Sequence, residues 1–474
     1  MRVGVARLRS FGFRPRVRTF SDLIATPKFV NESQLDELRQ QCRKTVAHIN
    51  LDSVNVNLQS LHRCTHDQLN RSLDKNTKDE EKLSIIPIVK ANGYGHGALF
   101  VTLEAITQKK VPVSHVAVAT LEEAVSLREQ LKSLNIFFPI LLLGVSPRGA
   151  AEIMAKFEIT PTVSSIHALQ EFAKVARESK KKLKIHIKKD TGMHRVGLLE
   201  DQVPPFLEEL NKILQDGWLD VEGIYTHLSK ADETDKAYTI KQLQSFDSFI
   251  DSVEQLNVKP KLIHCMNSAG IIDFHLLKEN NINYAKYNYF RAGISLYGLY
   301  PSDEVDMSPT LHPLMHWTSE IAQLKHLQAG DLIGYGGIYR VEKPMSIAVL
   351  PVGYADGYRR LLGSMTNKVI PTFQVRIKDQ LCSIVGRVCM DLIMVDVTAI
   401  SNVKEGDTVT LMGGNPSPSD PLHCDKMANY LQTINYEVTC LVGHRVPRFF
   451  YKKNQFVGMQ NLYGSFVLEN AFNF

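Results

Sequence analysis

Cysteine is scarce in this 474-residue sequence: there are seven, an odd number, and no C-x-x-C pair. That excludes a disulfide framework and a zinc–thiolate site, and it fits a reducing compartment. Long apolar runs are missing too. The longest, around Phe137–Val145, falls well short of the ~20 residues a membrane-spanning helix needs. No G-x-G-x-x-G turn follows the first strand-like run, which excludes a dinucleotide-binding doubly wound sheet. Acidic residues are absent from the first 20 positions, where six arginines stand: Arg2, Arg7, Arg9, Arg14, Arg16 and Arg18. The formal net charge of +5 is therefore local, and without those arginines the chain stands at about −1. This cluster lacks aromatics interleaved on a folded face, so no nucleic-acid partner is expected.

An arginine-rich, acid-free start reads instead as a targeting leader. Arg18-Thr19-Phe20-Ser21 resembles a mitochondrial processing site. The expectation is a leader or extension over residues 1–40 and the mitochondrial matrix as destination, with plastid and cytoplasm as alternatives. The chain has the composition of a folded protein, 44% hydrophobic and 22% charged, which excludes wholesale disorder.

From residue 83 to 300, β-rich apolar runs alternate with helical stretches. The predicted strands are Leu83–Val89, His115–Ala119, Pro139–Gly144, Ile159–Val163, Leu183–Lys188, Val221–Thr226, Lys261–Cys265 and Tyr287–Gly293. Between them, stretches such as Leu121–Arg128 carry helical periodicity, with Thr120 as the N-cap. Eight strands alternating with helices predict an α/β fold, a (β/α)8 TIM barrel over 41–308. Beyond residue 310 the runs Met345–Pro351, Val369–Ile377, Ser383–Val388, Leu392–Val397 and Thr408–Met412 predict a mainly β C-terminal domain over 309–452, then a tail over 453–474. The charged stretch from Arg63 to Lys82 reads as a solvated loop.

Catalytic groups of a parallel barrel sit where its strands end. Those ends carry Lys90, Lys188 followed by Asp190 and Arg195, His227 with Asp232, Asn267 and Ser268, and Arg291. A lysine ending an apolar strand has its pKa depressed by burial, which suits a Schiff-base lysine. One such lysine alone reads better as a snorkelling surface residue; several polar groups on one rim reverse that preference. By composition alone, the glycine-rich turn after Lys90 is a weak anion-site signal.

The string Val89-Lys90-Ala91-Asn92-Gly93-Tyr94-Gly95-His96-Gly97 closely resembles the pyridoxal-phosphate lysine motif of alanine racemases. The resemblance continues in order through His186–Arg195, Tyr225-Thr226-His227, Asn267–Gly270, Arg291–Ile294, Gly334-Tyr335-Gly336, Pro351–Tyr358, Gly386–Asp391, Thr433–Val438 and Arg445–Arg448. It covers about residues 45 to 450. It implies a pyridoxal 5'-phosphate enzyme that interconverts L- and D-alanine in a homodimer, with Lys90 and Tyr335 as its two bases. It further implies cofactor contacts from Lys90, Tyr94, His227, Ser268, Arg291, Gly293, Ile294 and Tyr436, and substrate contacts from Arg195 and Met390. By the same resemblance Lys188 matches a lysine carbamylated in many members. Asp232, His264, Tyr354, Arg360 and Arg387 match residues of the family's access corridor. No metal is expected, and the partner is a small amino acid rather than a membrane. Two readings compete: a serine or broad-specificity racemase on the same scaffold, and a non-catalytic pyridoxal-phosphate carrier. The second lacks the β domain and its tyrosine, both of which this sequence has.

Overall fold

Apolar runs of three to seven residues become parallel strands when both faces are covered, by side chains inside a barrel and by helices outside. The computed structural model describes residues 26–70, 83–277, 286–364 and 372–472. In it, strands run at Ser84–Pro87, Val116–Val118, Ile140–Leu142, Ile159–Thr160 with Thr162–Val163, Leu183–Lys188, Leu219–Tyr225, Leu262–His264 and Tyr289–Ala292. Each lies within a predicted run, save that the sixth begins at Leu219 rather than Val221. Pro161, which has no N–H to give a ladder, splits the fourth. The last strand pairs in parallel with the first, Arg291 opposite Ile86, and closes the barrel.

The helices obey local chemistry. Leu121–Ser133 starts on a capping box: Thr120 Oγ1 accepts from the Glu123 N–H, and the Glu123 carboxylate accepts from the Thr120 N–H at 3.2 Å. Its buried face, Ala124, Val125, Leu127 and Leu131, packs against the barrel.

The C-terminal region is mainly β, as expected, but the boundaries move. Its nine-stranded sheet recruits Val46–Asn50, which pairs with Met315–Glu320 on one side and Arg448–Lys452 on the other. It also takes in Lys28–Val30 at one edge. Residues 28–50, assigned to leader and barrel by sequence, thus belong with this sheet. The helix Glu32–Gln41 buries Leu35 against Val30, Phe449, Met459 and Phe466. The expected tail is likewise a hairpin, Gln455–Asn461 with Gly464–Leu468, paired into the same sheet. The helix Asp52–Asn70 contains the first residues of the expected charged loop; the rest, 71–82, lies outside the described residues. Ser383–Val388 is not a strand beyond Ser383, because Gly386 turns the backbone at φ +74°. A small hairpin, Leu332–Ile333 with Tyr339–Arg340, presents Tyr335 at its turn. Among the described residues no helix is long and apolar enough to cross a membrane.

Candidate active site

Lys90 stands just beyond the first barrel strand, and the backbone after it is strained. Ala91, Asn92, Gly93 and Tyr94 have φ of 51°, 52°, 65° and 50°. Each non-glycine residue there costs about 1–2 kcal/mol. Such a run persists only if its surroundings enforce it, and they do. Glu123, from the capping box, accepts the Ala91 N–H at 2.6 Å. Asn92 accepts the Ala98 N–H at 3.0 Å and donates to Gln460 at 3.0 Å. Buried Arg448 donates to the Gly95 carbonyl at 3.0 Å. Glu123 has no assigned role in the sequence reading, and Arg448 stands there as a motif residue without a role; both clamp the lysine loop.

A cavity of about 610 Å3 opens at the C-terminal ends of the strands. Eleven of the expected site residues line it: Lys90, Tyr94, Lys188, Arg195, His227, Asp232, Ser268, Arg291, Gly293, Ile294 and Tyr436. Asp190 shapes the loop carrying Arg195 by accepting the N–H groups of Gly192, His194 and Arg195 at 2.9–3.1 Å. Ser268 opens the short helix Ser268–Ile272. Asn267 caps that helix, which frees Ser268 Oγ to accept the Gly293 N–H at 2.9 Å. Lys189 is buried and paired with Glu200 at 2.9 Å.

Charge in the cavity is one-sided. Burial, then Arg195, pushes the Lys90 pKa down. Burial, Arg291 and Arg195 bring Lys188 down to about 7. Burial lowers Arg291 to about 10, still a cation at neutral pH, and burial with Arg291 keeps His227 neutral. Arg291 spends its two terminal nitrogens on His264, His227 and the carbonyls of Thr226, His264 and Cys265.

The other expected residues lie elsewhere. Tyr335 is 70% exposed, Met390 52% and Tyr354 43%. They gather on the β domain's surface with Arg387 and Arg360: the Tyr354 N–H bonds the Cys389 carbonyl, and Arg387 packs on Gly336. None of the five lines the cavity of its own chain. His264 needs correction. It is fully buried behind Arg291 and cannot line a corridor.

Residues 68–301 match the family model of the alanine racemase N-terminal domain, and residues 314–450 that of its C-terminal domain. The alanine racemase of Clostridium tetani is 39% identical over 378 residues, 80% of this chain and 91% of that protein. Alanine racemase 1 of Clostridium acetobutylicum is 36% identical over 420 residues, 88% and 98% of the two chains.

The chain belongs to the alanine racemase family.

The solved structure of the alanine racemase of Clostridium difficile 630 superposes with a TM-score of 0.75 at 33% identity, covering 89% of this chain and 98% of that one. Alanine racemases are isomerases that use pyridoxal phosphate. The relatives also correct the localisation read from the arginines. They are bacterial proteins, and bacteria have neither mitochondria nor plastids. Residues 1–25, on which that reading rested, lie outside the described residues.

Proposed function

We propose that this chain racemises alanine as a homodimer, with pyridoxal phosphate attached to Lys90 and each active site built from two subunits. The observation that carries the reading is the convergence of Lys90, Lys188, Arg195 and Arg291 on one cavity where, among the described residues, Asp232 is the single lining carboxylate. So placed, the arginines add to burial in depressing the two lysines, and the excess of positive groups calls for an anion.

The residues fit the cofactor. A Cβ on Gly293 would lie 3.1 Å from the Tyr94 hydroxyl and 3.3 Å from Ser268 Oγ, so glycine alone leaves this cradle open. The hydroxyls of Tyr94, Ser268 and Tyr436, with the amides of Gly293 and Ile294, would hold the phosphate. His227 would flank the ring. Arg291 would donate to the ring nitrogen without surrendering its proton, which favours racemisation over transamination.

Bound pyridoxal phosphate supplies the electron sink that acidifies the substrate's Cα–H. The protein's own task is to hold the amino acid and place a base on each face. Arg195 would bind its carboxylate, joined by the backbone amide of Met390 of the partner subunit. Lys90 Nζ would exchange a proton on one face, its lowered pKa making the neutral amine accessible. Tyr335 of the partner subunit would serve the other. The exposure of Tyr335, Tyr354 and Met390 supports sharing: apolar and aromatic residues standing in solvent beside a corridor await a second chain. Asp232 from the barrel and Tyr354, Arg360 and Arg387 from the β domain would form that corridor.

Lys188, with its pKa near 7, is part neutral amine at physiological pH, and a neutral amine adds CO2. A carbamate there would set a negative charge between Arg195 and Arg291. Carbon-13 bicarbonate should give a carbamate signal that Lys188→Ala loses; a signal unchanged in that variant would remove the modification.

A racemisation panel of alanine, serine, lysine and arginine tests the function. Alanine should have the highest kcat/KM. Faster turnover of serine would replace the alanine assignment, and no turnover of any would leave only a carrier.

A further inference from the structure

Behind Arg291, away from the cavity, lies a line of buried polar groups that the proposed reaction does not use. Arg291 Nη1 donates to His264 Nδ1 at 2.8 Å. His264 Nε2 and His186 Nδ1 are 3.0 Å apart. His186 Nε2 stands 3.5 Å from Glu222 Oε2, at the outer limit of a hydrogen bond, and has no closer partner among the described residues. Glu222 is also met by His115 Nε2 at 3.3 Å and Lys184 Nζ at 2.5 Å. His186 and His264 are wholly buried.

One direction of donation satisfies this line. A guanidinium only donates, so His264 Nδ1 must be a lone pair and its proton sits on Nε2. That proton can only go to His186 Nδ1, which puts the His186 proton on Nε2, facing the Glu222 carboxylate. Burial keeps both histidines neutral. Burial opposes ionisation of Glu222, but donors from His115, His186 and Lys184 outweigh it and keep the carboxylate charged. The packing is built for the rings. A Cβ on Gly223 would fall 2.5 Å from His186 Cε1, and Tyr225 stacks on His264 at 4.6 Å and 7°.

We propose that Glu222, acting through His186 and His264, is a positioning residue for Arg291: by accepting at the far end of the line it stabilises the two histidine tautomers that Arg291 requires, and so holds the guanidinium with its Nε–H free for the cofactor ring. This rests on the racemase function proposed for the chain. His115, His186 and Glu222 also have the donor set of a metal site, their ligand atoms within 4.8 Å of one another. A metal on His186 Nε2 would move that proton to Nδ1, then the His264 proton to its own Nδ1, against an arginine N–H. Donor would face donor, so the line excludes the metal.

The test uses holoenzyme labelled with 15N-histidine. His186 and His264 should both be neutral and protonated on Nε2, a result readable without turnover and therefore separable from any failure of the racemase reading. In Glu222→Leu, and in Gly223→Ala, which shifts the His186 ring without changing charge, the His264 signals should become heterogeneous. The bound cofactor's absorbance should shift, and kcat should fall about tenfold with KM for alanine unchanged. A His186 protonated on Nδ1, or stoichiometric divalent metal lost in His115→Ala, would overturn the proposal. So would a folded dimeric Glu222→Leu with wild-type absorbance and kcat.

Discussion

Lys90→Ala should lose racemisation by about 10⁴-fold or more, because one substitution removes both a covalent tether and a base, and proton transfer by a placed base alone contributes about 10²–10⁴-fold. The near-visible absorbance of lysine-bound cofactor should disappear with it. Collapse of the site is not the expected cause. The strained turn at 91–94 is held by Glu123, Asn92 and Arg448, through bonds to backbone and to Gln460 that do not involve Lys90 Nζ. The variant should therefore keep its melting temperature within a few degrees, and it should still bind cofactor noncovalently through the cradle at Gly293. A small primary amine such as methylamine, added to the variant, should restore part of the rate by occupying the space the side chain left. Activity within tenfold of the parent would remove Lys90 from the chemistry.

How much of the fold and the site is legible in the sequence depends on which periodicity the structure uses. The eight barrel strands are buried on both faces, so they stand out as short unbroken apolar runs, and each is found at its predicted run, the sixth starting two residues early. The helix at Leu121–Ser133 is legible from its cap. The edges of the β domain are not. Val46–Asn50 pairs with strands some 270 and 400 positions away, and nothing in its own composition says so. Residues 455–468 look like a tail because their partner strands come from both ends of the chain. Within the site, position at a strand end finds the residues facing the cavity but not depth. His264 ends a strand as surely as Lys188 does, yet its ring turns inward onto Arg291 while Lys188 reaches the cavity. Glu222 gives no signal at all. Mid-strand and charged, it makes sense only once His115, Lys184 and His186 surround it.

Tyr335→Phe should lower turnover by about 10²–10⁴-fold while leaving the cofactor's absorbance intact, since the groups proposed to tether and cradle the cofactor, Lys90 with Tyr94, Ser268, Gly293 and Arg291, do not include Tyr335. Taken alone, that loss does not say which subunit supplies the tyrosine. Mixing does. If Lys90 and Tyr335 act from different chains, a heterodimer of Lys90→Ala and Tyr335→Phe has one site with both substitutions and one site with neither. Random exchange makes about half of the dimers mixed, so about a quarter of all sites should be intact. Two dead proteins, denatured together and refolded, should then recover about a quarter of the parent's activity, whereas each refolded alone should recover none. A same-chain pairing would leave every site in the mixture missing one base, and the mixture would stay dead. The mixing experiment therefore turns the 70% exposure of one tyrosine into a statement about where its proton goes.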